Sequence, residues 1–461
     1  MREVKILAPC GILGYGFPER SFLKGMEKKP DAVVVDAGST DAGPHKLGRG
    51  VSIVSDAACR RDLELIITQA AQADIPVVIG SAGGAGSRVH VEKTLGIIEE
   101  IVRRHHLEAI KTAVIYSDIP KSFIRSKMLE NKVSGLGSTV KELDEERLER
   151  TGDIVAQMGH EPIVEALCQG ARLIVCGRAY DPSPFAAVAQ YCGLPLSYGY
   201  HAGKILECAA LCAVPGTTRD CMLGTIREDG FLVTPLSKER ECTPLSVAAH
   251  TFYEKEHPYI LHGPGLIMDL EHCGFEAAEN GSVFVTGSRY RKAPVYQVKL
   301  EGAMRVAYRT FVIAGVRDPI LVARLEEVES LAERQTREAY PQEEGAHYQI
   351  RFMNYGINAV MGDAEPLAQE RGHEVGVLFE AVADTQELAD RICSTLRSTF
   401  LHFGYQGRKS TAGNLAFPYA PSDISFGPVY EFSVYHLMDI DDRERKLLFP
   451  VVFHEWKEHV D

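Results

Sequence analysis

The sequence predicts an α/β protein: a doubly wound, mostly parallel sheet in the N-terminal half, followed by an α+β domain with an antiparallel sheet. Three observations carry this prediction. Short, apolar, β-branched runs recur through roughly the first 200 residues, and each stops abruptly in glycine or polar residues. Helical patterns lie between them, so strand and helix alternate at about 30 residues. Beyond about residue 215 the runs alternate apolar with polar residues and carry turn dipeptides, as antiparallel strands with one solvated face do. Domains are expected at 1–215 and 216–461, the first carrying the site and the second supplying lid or oligomer contacts.

The first five runs are "VKILAP", "DAVVVD", "IPVVIG", "KTAVIYSD" and "ARLIVCG". They are too short for helices and continuous rather than alternating, as strands buried on both faces should be. "RRDLELIITQAAQAD" and "VEKTLGIIEEIVRR" are the clearest intervening helices. The charged segment from about 120 to 165 reads as surface helices or a flap, and "GHEPIVEALCQGA" has the proline and acidic first turn of a helix start. In the second half, "TIREDGFLVTPL", "SVFVTGSRY", "VYQVKLEGAMRVAYRTFVIAGV" and "EVGVLFEAVAD" read as strands. "ILVARLEEVESLAERQTREAY" and "TQELADRICSTLRSTFLHF" read as helices.

Composition narrows the function. The 461 residues carry a formal net charge of −13, with lysine and arginine scattered, so neither nucleic acid nor an anionic membrane is an expected partner. No run approaches the roughly 18 apolar residues of a spanning helix, and the start "MREVKILAPCGILGYG" is not expected to act as a signal peptide. Eleven cysteines without a CxxC pair fit a reducing cytoplasm. Cys208 and Cys212, four apart, are read as buried small hydrophobes or as two thiols on one helix face. The expected partners are a small-molecule substrate and copies of the chain itself.

In open α/β sheets ligands bind outside the carboxyl ends of the strands, and all five runs end there in glycine or polar residues. "GILGYG" and "GSAGGAGS" each follow a strand, where backbone N–H groups and a helix dipole can hold an anion. Neither matches a dinucleotide fingerprint, and the second lacks the Lys-Ser/Thr pair of a P-loop. In "GSAGGAGS", Ser81, Gly83, Gly84 and Ser87 are candidate binding residues; the plain alternative is a tight, close-packed turn. "VVVDAGSTDAGPHKLG" gathers Asp36, Ser39, Thr40, Asp41 and His45, suited to acid–base work or to a divalent cation, or else to an Asx-rich turn. "VCGRAYDPSP" places Arg178 as a carboxylate clamp and Asp181 as a cap for a helix beginning at Pro182, with pairing of Arg178 to Asp181 or Asp36 as the plainer reading. Ser117, after the fourth strand, would line the same crevice. A nucleophile elbow and H-E-x-x-H are absent from the sequence.

"DAGSTDAGPHKLG", "GSAGGAGS", "CGRAYDPSPFAA", "LEGAMRVAYRTFVIAGVRDP" and "NLAFPYAPSDISFGPVYEFSVYH" together resemble the acyclic terpene utilisation (AtuA) family in its short, stand-alone form, over essentially the whole chain. The resemblance implies bacterial catabolism of branched or unsaturated acids, often through acyl-CoA intermediates, and brings no catalytic residue set with it. The leading expectation is an enzyme acting on a small carboxylic acid or acyl-CoA thioester by proton transfer, of hydratase, lyase or isomerase type. Asp36, Asp41, His45 and Asp181 would be its catalytic groups, Arg178 the clamp, and the Gly83–Ser87 backbone an oxyanion donor. A nicotinamide-dependent oxidoreductase using "GILGYG" and a non-catalytic subunit that needs a small neighbouring-gene partner are the alternatives. No cofactor is firmly expected; a divalent metal ion, or coenzyme A as part of the substrate, stays open.

Overall fold

The computed structural model describes residues 2–107, 109–253, 257–341, 347–408 and 412–456, with Asp41 described by its backbone alone. In chain order the first elements are β1 (Glu3–Ala8), α1 (Glu19–Glu27), β2 (Ala32–Asp36), α2 (Pro44–Arg49), α3 (Asp56–Ala73), β3 (Val77–Gly80), α4 (Arg88–His105) and β4 (Thr112–Ile115). The expected surface segment forms α5 (Lys121–Leu129), β5 (Val133–Gly135), α6 (Glu145–Arg150) and β6 (Ile154–Ala156). Then come α7 (Glu161–Cys168), β7 (Leu173–Cys176), α8 (Ser183–Tyr191), α9 (Leu196–Leu206), β8 (Met222–Arg227), β9 (Phe231–Pro235) and α10 (Pro244–Phe252). A run of strands follows: β10 (Ile260–Gly263), β11 (Leu266–Asp269), β12 (Gly274–Ala278), β13 (Ser282–Thr286), β14 (Arg289–Lys292) and the long β15 (Tyr296–Val316). The remainder is α11 (Pro319–Ala323), α12 (Leu325–Ala339), β16 (Tyr348–Tyr355), β17 (Val375–Ala383), α13 (Gln386–His402), β18 (Asp423–Ile440), α14 (Asp442–Leu448) and β19 (Val451–His454).

The chain forms two compact units, residues 1–304 with 432–461, and residues 305–431. A ten-stranded mixed sheet organises the first, in the order β12-β13-β9-β8-β1-β2-β3-β7-β4-β19. Its centre, β1-β2-β3-β7-β4, is parallel and consists of the five apolar runs. Successive residues of these strands enter different cores, as a sheet covered on both faces requires. Val34, Val78 and Ile174 pack with α7, α8 and α9 residues such as Ile163, Phe185 and Ile205. Val33, Val35, Val77 and Ile79 pack with α3 and α4 residues such as Leu63, Ile66, Val91 and Ile98. Each such fully buried side chain contributes about 1.5–3 kcal/mol.

The change in texture near residue 215 marks where pairing turns antiparallel. β8 pairs with the outer edge of β1, and β9, β13 and β12 extend that wing. Residues 216–304 thus lie in one compact unit with residues 1–215. In the second unit β16, β17 and the Tyr308–Val316 stretch of β15 pair antiparallel, the period-2 pattern the sequence shows there. Leu325 and Val328 of α12 and Ile392, Leu396 and Phe400 of α13 share a core with Phe379 of β17. Thr385 starts α13 by accepting the Leu388 N–H at 3.2 Å, a cap worth about 1 kcal/mol. Among the described residues no helix is long and apolar enough to cross a membrane.

Candidate active site

Carboxyl ends of β2, β3, β4 and β7 meet around Arg178, whose side chain is 1% exposed. A buried guanidinium must be neutralised and have its donors satisfied, or it would cost several kcal/mol. Here Nε donates to Glu301 Oε2 at 3.1 Å, Nη1 to Ser81 Oγ at 2.9 Å, the Ala179 carbonyl at 3.1 Å and Asp181 Oδ1 at 2.9 Å, and Nη2 to Thr40 Oγ1 at 3.0 Å. Its backbone N–H donates to Ser117 Oγ at 2.6 Å, and that hydroxyl donates to the Gly86 carbonyl at 3.0 Å. Arg178 therefore organises the site. The expected clamp on a substrate carboxylate is not what this geometry provides, because the protein itself engages every nitrogen of the side chain.

Glu301, on β15, is the principal counter-charge. Gln157 and Thr40 donate to its Oε1 at 3.0 and 2.8 Å, and Lys299 lies 3.2 Å from the same oxygen. Burial alone would raise its pKa, but Arg178 and Lys299 outweigh burial and hold it down at about 2. Two other carboxyls move the opposite way. Burial first, then the charge of Asp181, pushes Asp36 well above the usual carboxylate range, against the pull of Arg178. Burial likewise brings Glu207, just beyond α9, up to about 7, with Lys204 opposing and Asp181 adding. Asp36 Oδ1 and Glu207 Oε2 are buried polar atoms with no hydrogen-bond partner, whereas Lys204 Nζ donates to Glu207 Oε1 at 2.6 Å. Other buried atoms of the described residues also lack partners, Glu329 Oε1 among them, but these two belong to a group of carboxyls that act on one another at the strand ends, which makes it a functional candidate.

Groups of the protein itself already engage N–H donors in both glycine-rich loops. In "GSAGGAGS" the N–H groups of Ser81, Ala82, Gly84 and Gly86 donate to the carbonyls of Gly177, Cys176, Ser81 and Ala82. At the start of α4 the Arg88 N–H donates to Asp118 Oδ1 at 3.0 Å, so a carboxylate already occupies that helix end. Gly86 (φ +66°) allows close packing: a Cβ there would lie 2.2 Å from the Arg178 nitrogen. Gly83 and Gly84 pack against His90 and Ile53, and Ser87 Oγ is spent on His90 Nδ1 at 2.8 Å. Ser81 is forced into the left-handed region (φ +49°), a conformation costing about 1–2 kcal/mol. Its hydroxyl accepts from both Arg178 Nη1 and the Ala179 N–H, which offsets that cost. In "GILGYG" the N–H groups of Gly14 and Gly16 both donate to buried Asp62 Oδ2, at 2.9 and 3.0 Å. An anion or nicotinamide cradle in "GILGYG" would have to displace Asp62.

The structure thus brings together Asp36, Thr40, Ser81, Ser117, Arg178 and Asp181. Gly83, Gly84 and Ser87 serve packing, and along the backbone expected to donate to an oxyanion the Gly84 and Gly86 N–H groups are already bonded to carbonyls. Asp181 does not cap α8: that helix begins at Ser183 with no side-chain cap, and the Asp181 carboxylate goes to Arg178 instead. His45 lies on α2, where burial, then Arg49 and Lys46, lowers its pKa; it is not among the dominant charges at Asp36, Arg178 or Glu301. Ser39 is half-buried in the loop after β2, and the side chain of Asp41 lies outside the described residues. Among the described residues no group of three or more His, Cys, Asp and Glu side chains could hold a metal ion. Cys208 and Cys212 share no α-helical face, since Cys212 ends a short 3₁₀ turn, Ala209–Cys212. Sequence reading missed Glu301, Glu207, Lys204 and Lys299. The available signals were isolated charges within otherwise apolar elements, "VKLEGAM" on β15 and "HAGKILECAA" on α9.

The family model described as "Acyclic terpene utilisation family protein AtuA" matches residues 56–421. The chain belongs to the AtuA family. This supports a catabolic role in acyclic terpene utilisation, and the matched segment takes in most of the site: β3, β4, β7, Arg178, Asp181, Glu207 and Glu301. Asp36 and Thr40 precede the matched segment. No match was found among curated proteins or among solved structures.

Proposed function

We propose that this AtuA-family chain is an acid–base enzyme that moves a proton on a small carboxylic acid or its acyl thioester, in a hydratase, lyase or isomerase reaction. The observation that carries the reading is the pair Asp36 and Glu207: both buried, both raised, each with one oxygen lacking a partner among the described residues, with the charges of Glu207 and Asp181 acting on Asp36 and that of Asp181 on Glu207. Acid–base catalysis works best when one group carries a proton and another titrates near the working pH. In this reading Asp36 delivers the proton and Glu207, at about 7, removes one. Asp181, about one-third exposed, raises both. Lys204 fixes Glu207, and Arg178 holds Thr40, Ser81 and Asp181 in place so that the acids are positioned before substrate arrives.

The family's association with acyclic terpenes favours branched, unsaturated acids and their coenzyme A thioesters as first candidates. The test is incubation of the purified chain in D2O with a panel of such compounds, followed by NMR at the carbons next to the carbonyl and the double bond. Deuterium incorporation with at least one of them, lost in a folded Asp36→Asn variant, is the expected result. No exchange with any compound, or equal exchange by the variant, refutes the assignment. Exchange that begins only when a small partner subunit is added would favour the non-catalytic alternative.

A further inference from the structure

A second feature lies on the same edge of the ten-stranded sheet. Two adjoining hollows of about 670 and 250 Å3 share Lys24, Lys238 and Arg240 in their walls. Between them they collect six cations, those three with Arg20, Lys28 and Arg219, against the three acids Asp220, Glu239 and Glu241. A basin of net charge +3 is notable in a chain of net charge −13. Arg240 is neutralised by Asp220 at 2.9 Å, and Lys24 donates to the Leu236 carbonyl at 2.7 Å. Among the described residues Arg20, Lys28, Arg219 and Lys238 make no ion pair, and all four are exposed. Like charges gathered without partners repel, so the basin gains free energy from any multivalent anion that enters it. Val214, 48% exposed, is the apolar side chain that the wall presents to solvent, while Pro235 and Leu236 lie buried beneath it.

Strand register places the basin relative to the acids. Ala8 at the end of β1 pairs with Met222, and Met222 with Pro235, so β9 ends at the same edge as the parallel strands. Three strand spacings separate β9 from β2, which puts the basin about 14 Å from Asp36 across the sheet.

We infer that this basin is a binding site for a nucleoside diphosphate group: exposed cations take the phosphates, and the exposed face of Val214 takes the flat ring. The volume is within the range of small-ligand sites, roughly 300–1,000 Å3, and the inference does not depend on the acid–base reading of Asp36 and Glu207. The experiment is calorimetric titration of the full chain at low ionic strength with ADP, inorganic pyrophosphate and adenosine, repeated with the Lys28→Glu/Lys238→Glu variant. Both lysines are exposed, so the variant should keep the parent's melting temperature. The expected outcome is saturable ADP binding that is tighter than pyrophosphate binding, undetectable adenosine binding, and at least tenfold weaker ADP binding in the variant. Absence of ADP binding at millimolar concentration, equal affinity in the variant, or pyrophosphate binding as tight as ADP would each overturn the inference.

Discussion

Replacing Glu301 by glutamine tests whether Arg178 is the organising centre of the site. The carboxylate takes the guanidinium Nε at 3.1 Å in a nearly solvent-free setting. Its pKa of about 2, against an ordinary 4.5, corresponds to about 3 kcal/mol of stabilisation, at about 1.4 kcal/mol per decade. The sign is that of an acid whose folded pKa is depressed. The stabilisation is fully present above about pH 5 and is lost as pH falls through the interval from 4.5 towards 2. Glu301→Gln should therefore lose about 3 kcal/mol at pH 7, consistent with the cost of breaking a buried ion pair. It should then fall about 1.4 kcal/mol less than the parent between pH 6 and pH 3.5. The single tryptophan, Trp456, makes the measurement specific to the first unit: it is 7% exposed and donates from Nε1 to Thr112 Oγ1 at 2.9 Å. Urea unfolding followed by its fluorescence at each pH gives both numbers. A variant within 1 kcal/mol of the parent at pH 7, with the same slope in acid, would refute the idea that this pair holds the site together.

Two further perturbations separate packing from chemistry. Glu329, buried in the second unit, accepts from Asn354 Nδ2 at 3.0 Å, and burial brings it up to about 7. A raised acid favours folding below its unfolded pKa and loses that advantage as pH rises through the folded one, so Glu329→Gln should be the more stable form by up to about 3 kcal/mol at pH 8 and no better at pH 4. Slower amide exchange of α12 and β16 in the variant at pH 8 is the readout, and equal rates would count against it. Asp62→Ala should cost about 2–5 kcal/mol in the same tryptophan-detected unfolding, because it leaves the Gly14 and Gly16 N–H groups without their acceptor; a neutral outcome would show that water replaces it readily.

The five parallel strands were legible because burial on both faces leaves a continuous apolar signature that few other environments produce. Helices such as α3, α4 and α13 were legible from their 3.6-residue periodicity. The shared edge was legible too, since parallel strands of an α/β sheet end on one side. What stayed hidden was partnership. Asp181 before a proline reads locally as a helix cap worth about 1 kcal/mol, yet a buried guanidinium three residues away makes the larger demand and takes the carboxylate. The demand itself was invisible, because Glu301 lies 123 residues from Arg178 along the chain. The glycine loops misled in the same way. Their composition advertises an anion site, but in "GILGYG" the anion is Asp62, contributed from 46–48 residues further on, and in "GSAGGAGS" backbone carbonyls take the Ser81, Ala82, Gly84 and Gly86 N–H groups. The antiparallel wing was seen as strands, but pairing of β8 with β1 is a tertiary choice that no local pattern records.

The span of the Arg178 network also orders events in time. Thr40 and Glu301, bonded at 2.8 Å, are 261 residues apart, so the site cannot close until β15 has left the ribosome. Until then a growing chain holds strands β1 to β7 with an arginine that has Asp181 but lacks its main counter-charge, and such a core is unfavourable to bury. Contacts this distant in sequence slow folding and leave apolar strands exposed while they form. A fragment ending before residue 296, however complete its parallel strands, should therefore be a poor folder that depends on chaperones, with Glu301 acting as the latch that commits the first unit to its native state.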